Sequence, residues 1–177
     1  MEPREFFIEE RLEKYRIDAF CNLGESGIRN KNLEQFLKEI NFNIAEFSKL
    51  SLDDSPNKGR KDLRETIASL YDNVHPDEVL ITTGTSEALF IAFQILCKRK
   101  SSVALFVPAF QALYEIPLML GSKILKINVK NTLDVSALFK TNADLIVINH
   151  PHNPTGKILT DSDIDYLKQI VPKYDGH

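Results

Sequence analysis

Cysteine, tryptophan and glycine are scarce here: two, none and seven in 177 residues. Cys21 and Cys97 lie too far apart to make a disulfide framework or the close ligand spacing of a zinc site. Long apolar runs are also lacking. Even Ala88 to Ile95, broken by Gln94, is far too short to span a bilayer. Neither sign of charge dominates, and a net charge of -3 gives no case for nucleic acid or an anionic membrane as partner. The opening Met1-Glu2-Pro3-Arg4-Glu5 is charged and has no apolar stretch of the secretory kind. The expected setting is therefore the reducing cytoplasm. No internal repeat, low-complexity tract or interdomain linker is present.

What is present is a globular balance, 43% hydrophobic with 27% charged, on a chain long enough for one ordinary core. The first half reads as helical and partly irregular. Arg4 to Tyr15 has Phe7, Ile8, Leu12 and Tyr15 at helical spacing, and a turn-rich stretch from Asn22 to Gly27 follows. Asn32 is placed to cap a helix with Leu33, Phe36, Leu37 and Ile40 on one face. Asp53 to Gly59 is a loop by composition, and Leu63, Ile67, Leu70 and Tyr71 mark another amphipathic helix.

From Glu78 the pattern changes to alternation. Val79 to Thr82, Val103 to Val107, Ile124 to Val129 and Leu145 to Asn149 are short apolar or β-branched runs of the kind that form strands buried on both faces. Helical stretches separate or follow them: Ser86 to Arg99, Phe110 to Leu120, Val135 to Lys140 and Asp161 to Val171. Such alternation predicts an α/β fold with a mostly parallel, helix-covered sheet.

Three strand ends carry residues with chemical use. After the first run, Gly84-Thr85-Ser86 opens a long apolar helix. Free amides and hydroxyls at a helix start suit a phosphate, and a glycine lets the backbone approach it; ordinary capping by Thr or Ser explains the same residues. After the second run comes Pro108-Ala109-Phe110, whose aromatic face can stack on a heteroaromatic ring or simply fill the core. After the fourth run stands Asn149-His150-Pro151-His152-Asn153-Pro154-Thr155-Gly156. Its prolines stiffen a turn that holds amide side chains at the carboxyl edge of the sheet, where open α/β sheets hold ligands. His150 and His152 alternate in this turn, but with no cysteine and no further close ligand they do not make a metal pair.

The string Asn153-Pro154-Thr155-Gly156, with the two upstream strand ends in the same order, resembles the signature of class I/II pyridoxal-phosphate (PLP) aminotransferases of fold type I. The resemblance implies a phosphate cup at Gly84, Thr85 and Ser86, Phe110 against the pyridine ring, and an Asn153 amide donating to the ring's 3′ oxygen. The string from Gly59 through Leu63 and Arg64 resembles a family helix start, although Asp54 stands where many members have a phosphate-reaching tyrosine. Leu23 to Arg29 is similar to the N-terminal arm of aminotransferases related to capreomycidine synthase; a surface turn explains it equally. The implied layout is an arm with helices over 1–50 and part of the PLP-binding large domain over 51–177.

The resemblance also implies groups that these residues do not supply: an Asp for the pyridine nitrogen, the Schiff-base Lys and a carboxylate-binding Arg. Neither Lys157 nor Lys168 stands in the family's Ser-x-x-Lys context. The expectation is then the N-terminal portion of an enzyme moving an amino group between an amino acid and a 2-oxo acid, inactive as an isolated chain. It would act as a homodimer or with a partner chain supplying the missing half. In family members the strand matching Val79 to Thr82 lies beside strands from later in the chain, so here it is expected to lose its partners or pair differently. Two other readings stay open: a PLP-dependent lyase, cyclase or synthase of the same fold, or a degenerate non-catalytic remnant kept for oligomerisation or regulation.

Overall fold

The computed structural model describes residues 4–24, 27–98 and 100–177. Glu25 and Ser26 of the arm-like turn, and Arg99 at the end of an expected helix, lie outside the described residues. The chain forms two compact units: Phe7–Ile81, and Thr82–His177 together with the N-terminal segment up to Phe6. Within the first of these units the Arg64 guanidinium donates to the Gly59 carbonyl at 3.2 Å and the Pro76 carbonyl at 2.7 Å, tying residues 59–77 together.

The unit Phe7–Ile81 contains α1 (Phe7–Tyr15), α2 (Leu33–Glu39), a 3-10 turn Ile44–Lys49, α3 (Lys61–Ala68) and a 3-10 turn Pro76–Glu78. Asn32 caps α2 as expected: its side chain accepts from the Gln35 amide at 2.8 Å, and Gln35 accepts back from the Asn32 amide at 3.4 Å. Of the apolar face Leu33, Phe36, Leu37 and Ile40, only Leu37 is buried.

Val79 to Thr82 does not form the expected strand. No strand among the described residues lies beside it, and the Ile81 amide donates instead to the Lys58 carbonyl at 3.0 Å. An apolar run without a ladder partner stays extended but unpaired. The contact requires Gly59, which sits at φ +94°, because a Cβ there would lie 2.3 Å from Ile81 Cγ1.

The other unit is an α/β layer structure. Strands β1 (Ser102–Val107), β2 (Lys123–Asn128) and β3 (Leu145–Val147) pair in parallel in the order β2-β1-β3, with Val103 between Ile124 and Leu145. β3 ends at Val147, two residues short of the expected Asn149, where the proline-rich turn takes over. Helices α4 (Thr85–Leu96), α5 (Ala112–Met119), α6 (Val135–Phe139) and α7 (Asp161–Ile170) cover the sheet.

Alternation along β1 decides which helices lie on which face. Val103 and Leu105 pack with Phe93 of α4 and Leu113 of α5. Ala104 and Phe106 pack with Val135 and Leu138 of α6 and Tyr166 of α7. A central strand buried on both sides is what the continuous run Ser-Val-Ala-Leu-Phe-Val requires. At the strands' amino ends the Asp144 carboxylate accepts from both the Ser102 amide and the Ser102 hydroxyl, each at 2.7 Å. These bonds hold the carboxyl below the usual carboxylate range.

Candidate active site

The carboxyl edge of the sheet gathers the candidate residues. α4 ends at Leu96, is joined by a short connection to β1 at Ser102 and packs on the same strand, so it runs antiparallel to β1. Its first residue, Thr85, therefore lies at the end of the unit where β1 and β3 finish. Phe110 follows β1 at that edge, and Asn153 follows β3. Gly84, Thr85, Ser86, Phe110 and Asn153 thus share one edge of one unit.

At α4 the local geometry is set by a tight turn. Gly84 has φ +83° and ψ 174°, a conformation that L side chains rarely adopt. The Gly84 amide donates to the Thr82 carbonyl at 2.9 Å, and the Thr82 hydroxyl donates to the Gly84 carbonyl at 3.0 Å. The Glu87 carboxylate accepts from the Thr83 amide just before the turn. Among the described residues no side chain caps this helix, whereas Asn32, Asp134 and Thr160 cap α2, α6 and α7. The amides of Thr85, Ser86 and Glu87 meet no acceptor among the described residues. A dozen-residue helix with three open first-turn amides and two exposed hydroxyls has the donor set an anion needs.

Phe110 is half-buried and packs against the core cluster that includes Phe93, Val103 and Leu105. Its ring meets the ring of Phe6 edge-on, with centroids 5.5 Å apart at 70°. The same N-terminal segment is held by Gln111, whose side-chain amide donates to the Glu5 carbonyl at 2.7 Å, and by an ion pair between Arg4 and the buried carboxylate of Glu115. Nothing in the sequence signals this latch, since its partners are about a hundred residues apart.

In the turn after β3, His150–Pro151 and Asn153–Pro154 are cis, as is Val107–Pro108 at the end of β1. The Asn153 amide donates to Asn149 Oδ1 at 2.6 Å, the His152 amide to the Lys157 carbonyl at 2.8 Å, and the Gly156 amide to the His152 carbonyl at 2.7 Å. Lys157 Nζ donates to the Asn131 carbonyl at 2.6 Å. With its backbone so held, the turn leaves the Asn153 side chain exposed.

His152 has the opposite fate. It is only 2% exposed, with Nδ1 2.7 Å from the Thr155 hydroxyl and its ring edge-on to Phe106. Its Nε2 has no partner among the described residues. Burial pushes the imidazole below its ordinary range, which leaves it uncharged at neutral pH. His152 and Asn149 line a slot against Phe106, Ala109 and Leu113. Sequence reasoning weighed His152 only as half of a metal pair. The available signal was its place directly before Asn153, in a turn that closes over a buried strand.

The sequence profile described as "Aminotransferase class I and II" matches residues 24–177. The chain belongs to the class I and II aminotransferase family, which is PLP-dependent. It is 35% identical over 172 residues to an aspartate aminotransferase of Thermococcus kodakarensis, covering 94% of this chain and 43% of that protein. It is 27% identical to capreomycidine synthase of Streptomyces vinaceus, covering 84% of this chain and 41% of that protein. A solved PLP-dependent aminotransferase from Streptococcus suis 89-1591 matches the whole chain over 50% of its own, with a TM-score of 0.89 at 23% identity. That likeness establishes the fold: part of a fold-type-I large domain. The chain spans half or less of the length of these relatives. Open first-turn amides, a half-buried aromatic ring and an exposed carboxamide at one sheet edge have the chemistry that a phosphorylated pyridine needs.

Proposed function

We propose that this chain is the N-terminal portion of a PLP-dependent aminotransferase that moves an amino group between an amino acid and a 2-oxo acid. The observation that carries the reading is the uncapped start of α4 at the edge where Phe110 and Asn153 also sit. In this reading the amides of Thr85 and Ser86 and their hydroxyls bind the phosphate, aided by the positive end of the helix dipole. Phe110 lies along the pyridine ring, backed by Phe6 and supplying stacking without a phenol hydrogen bond. Asn153 donates from its amide to the 3′ oxygen and favours the oxyanion there, its position set by Asn149 and His152. PLP, when bound, supplies the electron sink for bond breaking at the amino acid's α-carbon.

Neither Lys157 nor Lys168 is placed as an amine nucleophile: Lys157 is spent on the Asn131 carbonyl, and Lys168 lies on α7 near Asp165 at 3.3 Å. We therefore read the isolated chain as inactive, with the covalent lysine and the carboxylate-binding groups contributed by a second half. A homodimer or a partner chain is the assembly proposed, in the cytoplasm. The relatives named as aspartate aminotransferases support aspartate as the first amino donor to try. The likeness to capreomycidine synthase favours a second reading, a PLP-dependent cyclase or synthase on the same fold. Product analysis with amino-acid substrates separates the two.

The test is a PLP titration of the full chain, alone and with a chain supplying the C-terminal half, following the visible absorbance of the cofactor. Saturable binding that weakens in Ser86→Ala and Asn153→Ala supports the site. No binding above background in the reconstituted assembly refutes it, and leaves a non-catalytic remnant as the reading.

A further inference from the structure

The mechanism sketched above leaves one buried titratable group without a task. His152 sits beneath the turn, 2% exposed, with Nε2 unpartnered among the described residues. A buried ring nitrogen without a partner is costly, so the ring must be held there by what its other atoms do. Those atoms clamp the turn at three points. The backbone amide bonds Lys157, the carbonyl accepts from Gly156, and Nδ1 meets the Thr155 hydroxyl. Asn153 and Pro154 are the two residues that this side-chain contact spans, and the Asn153 amide is fixed independently by Asn149.

The tautomer follows from counting protons. Thr155 Oγ1 takes a long hydrogen bond, 3.4 Å, from the Lys157 amide, which occupies a lone pair. Among the described residues the Thr155 hydroxyl meets no acceptor other than Nδ1, so its proton is assigned to that contact, which makes Nδ1 the acceptor and places the ring proton on Nε2. The His152 and Phe106 rings pack edge to face, with centroids 6.2 Å apart at 89°.

We propose that His152 is a positioning residue for Asn153: its Nδ1 accepts from the Thr155 hydroxyl and pins the turn so that the Asn153 carboxamide keeps one orientation toward the ligand. This rests on the turn facing the cofactor, but the pin itself can be read without any ligand. The low basicity that burial imposes keeps Nδ1 available as an acceptor at neutral pH.

The test uses the full chain with ¹⁵N-labelled histidine, assigned against His152→Phe. Long-range ¹⁵N correlation should show the Nε2–H tautomer for His152. Thr155→Val removes the hydroxyl while leaving the ring in place. It should shift His152 away from that signature and speed exchange of the Asn153 and Gly156 amides by about tenfold, the size of one lost hydrogen bond. Thr155→Ser should restore both. PLP affinity should fall in Thr155→Val and return in Thr155→Ser. An Nδ1–H tautomer in the parent chain, or amide exchange unchanged in Thr155→Val, overturns the proposal. If the tautomer and exchange results hold but neither parent nor variant binds PLP even with a chain supplying the C-terminal half, the pin stands and the cofactor reading fails.

Discussion

Gly84→Ala puts the geometry of the α4 start under the most direct strain. The residue sits at φ +83° and ψ 174°, and a Cβ built there meets nothing within 4 Å. The cost is therefore conformational alone, about 1–3 kcal/mol for a non-glycine residue held in such a region. For a chain of this size that corresponds to a fall in midpoint of roughly 2–12 °C. Two outcomes share this energy. Either the turn keeps its shape and the unit Thr82–His177 loses stability, or the turn relaxes, stability recovers, and the amides of Thr85 and Ser86 swing away from the sheet edge. Denaturant unfolding followed by near-UV signal measures the first, and PLP titration measures the second. Gly59→Ala is the comparator, since there the same kind of dihedral cost is joined by a Cβ 2.3 Å from Ile81 Cγ1 and the loss should be larger. If Gly84→Ala leaves stability within about 0.5 kcal/mol and PLP affinity untouched, the α4 turn is neither constrained nor functional as argued.

Leu105→Ala should destabilise the same unit by about 2–5 kcal/mol, because Leu105 is 1% exposed in the middle of β1 between α4 and α5. A denaturant midpoint unchanged from the parent would contradict that placement. His152 sets a pH dependence with a definite sign. Its folded pKa lies below the unfolded 6.5, so the unfolded chain takes up the proton first. Stability should therefore fall as pH drops from 6.5 toward the folded pKa, and His152→Phe should abolish that part of the slope. A parent chain no more acid-sensitive than His152→Phe over this window would show that the ring is not buried uncharged.

The sheet and its helices were readable because β1 is a continuous apolar run, β2 carries Ile124, Leu125 and Ile127 in a short β-prone stretch, helical spacing separates them, and Asn32 is a capping residue three places before Gln35. Val79 to Thr82 misled by the same rule. Apolar composition marks a segment suited to a strand, but a ladder needs a neighbour, and Ile81 found only the Lys58 carbonyl. The sequence pointed to the residues of the sheet edge through Gly84, Phe110 and Asn153. What it withheld was tertiary: that Phe6 comes back to Phe110, and that His152 turns inward onto Phe106 while its neighbour Asn153 faces out. Those depend on which side chain fills a space left by distant elements, and no local pattern encodes it.

The latch formed by Arg4, Glu5 and Phe6 has a kinetic consequence. The bond from Gln111 to Glu5 closes a span of 106 residues, and the entropy of bringing such remote ends together rises with the logarithm of the span. Residues 82–177 can collapse through near-neighbour contacts alone, so Arg4, Glu5 and Phe6 should dock last and detach first. The aromatic platform behind Phe110 is then completed only at the final step of folding, and a partially denatured chain should lose Phe6 from it while the sheet is still intact.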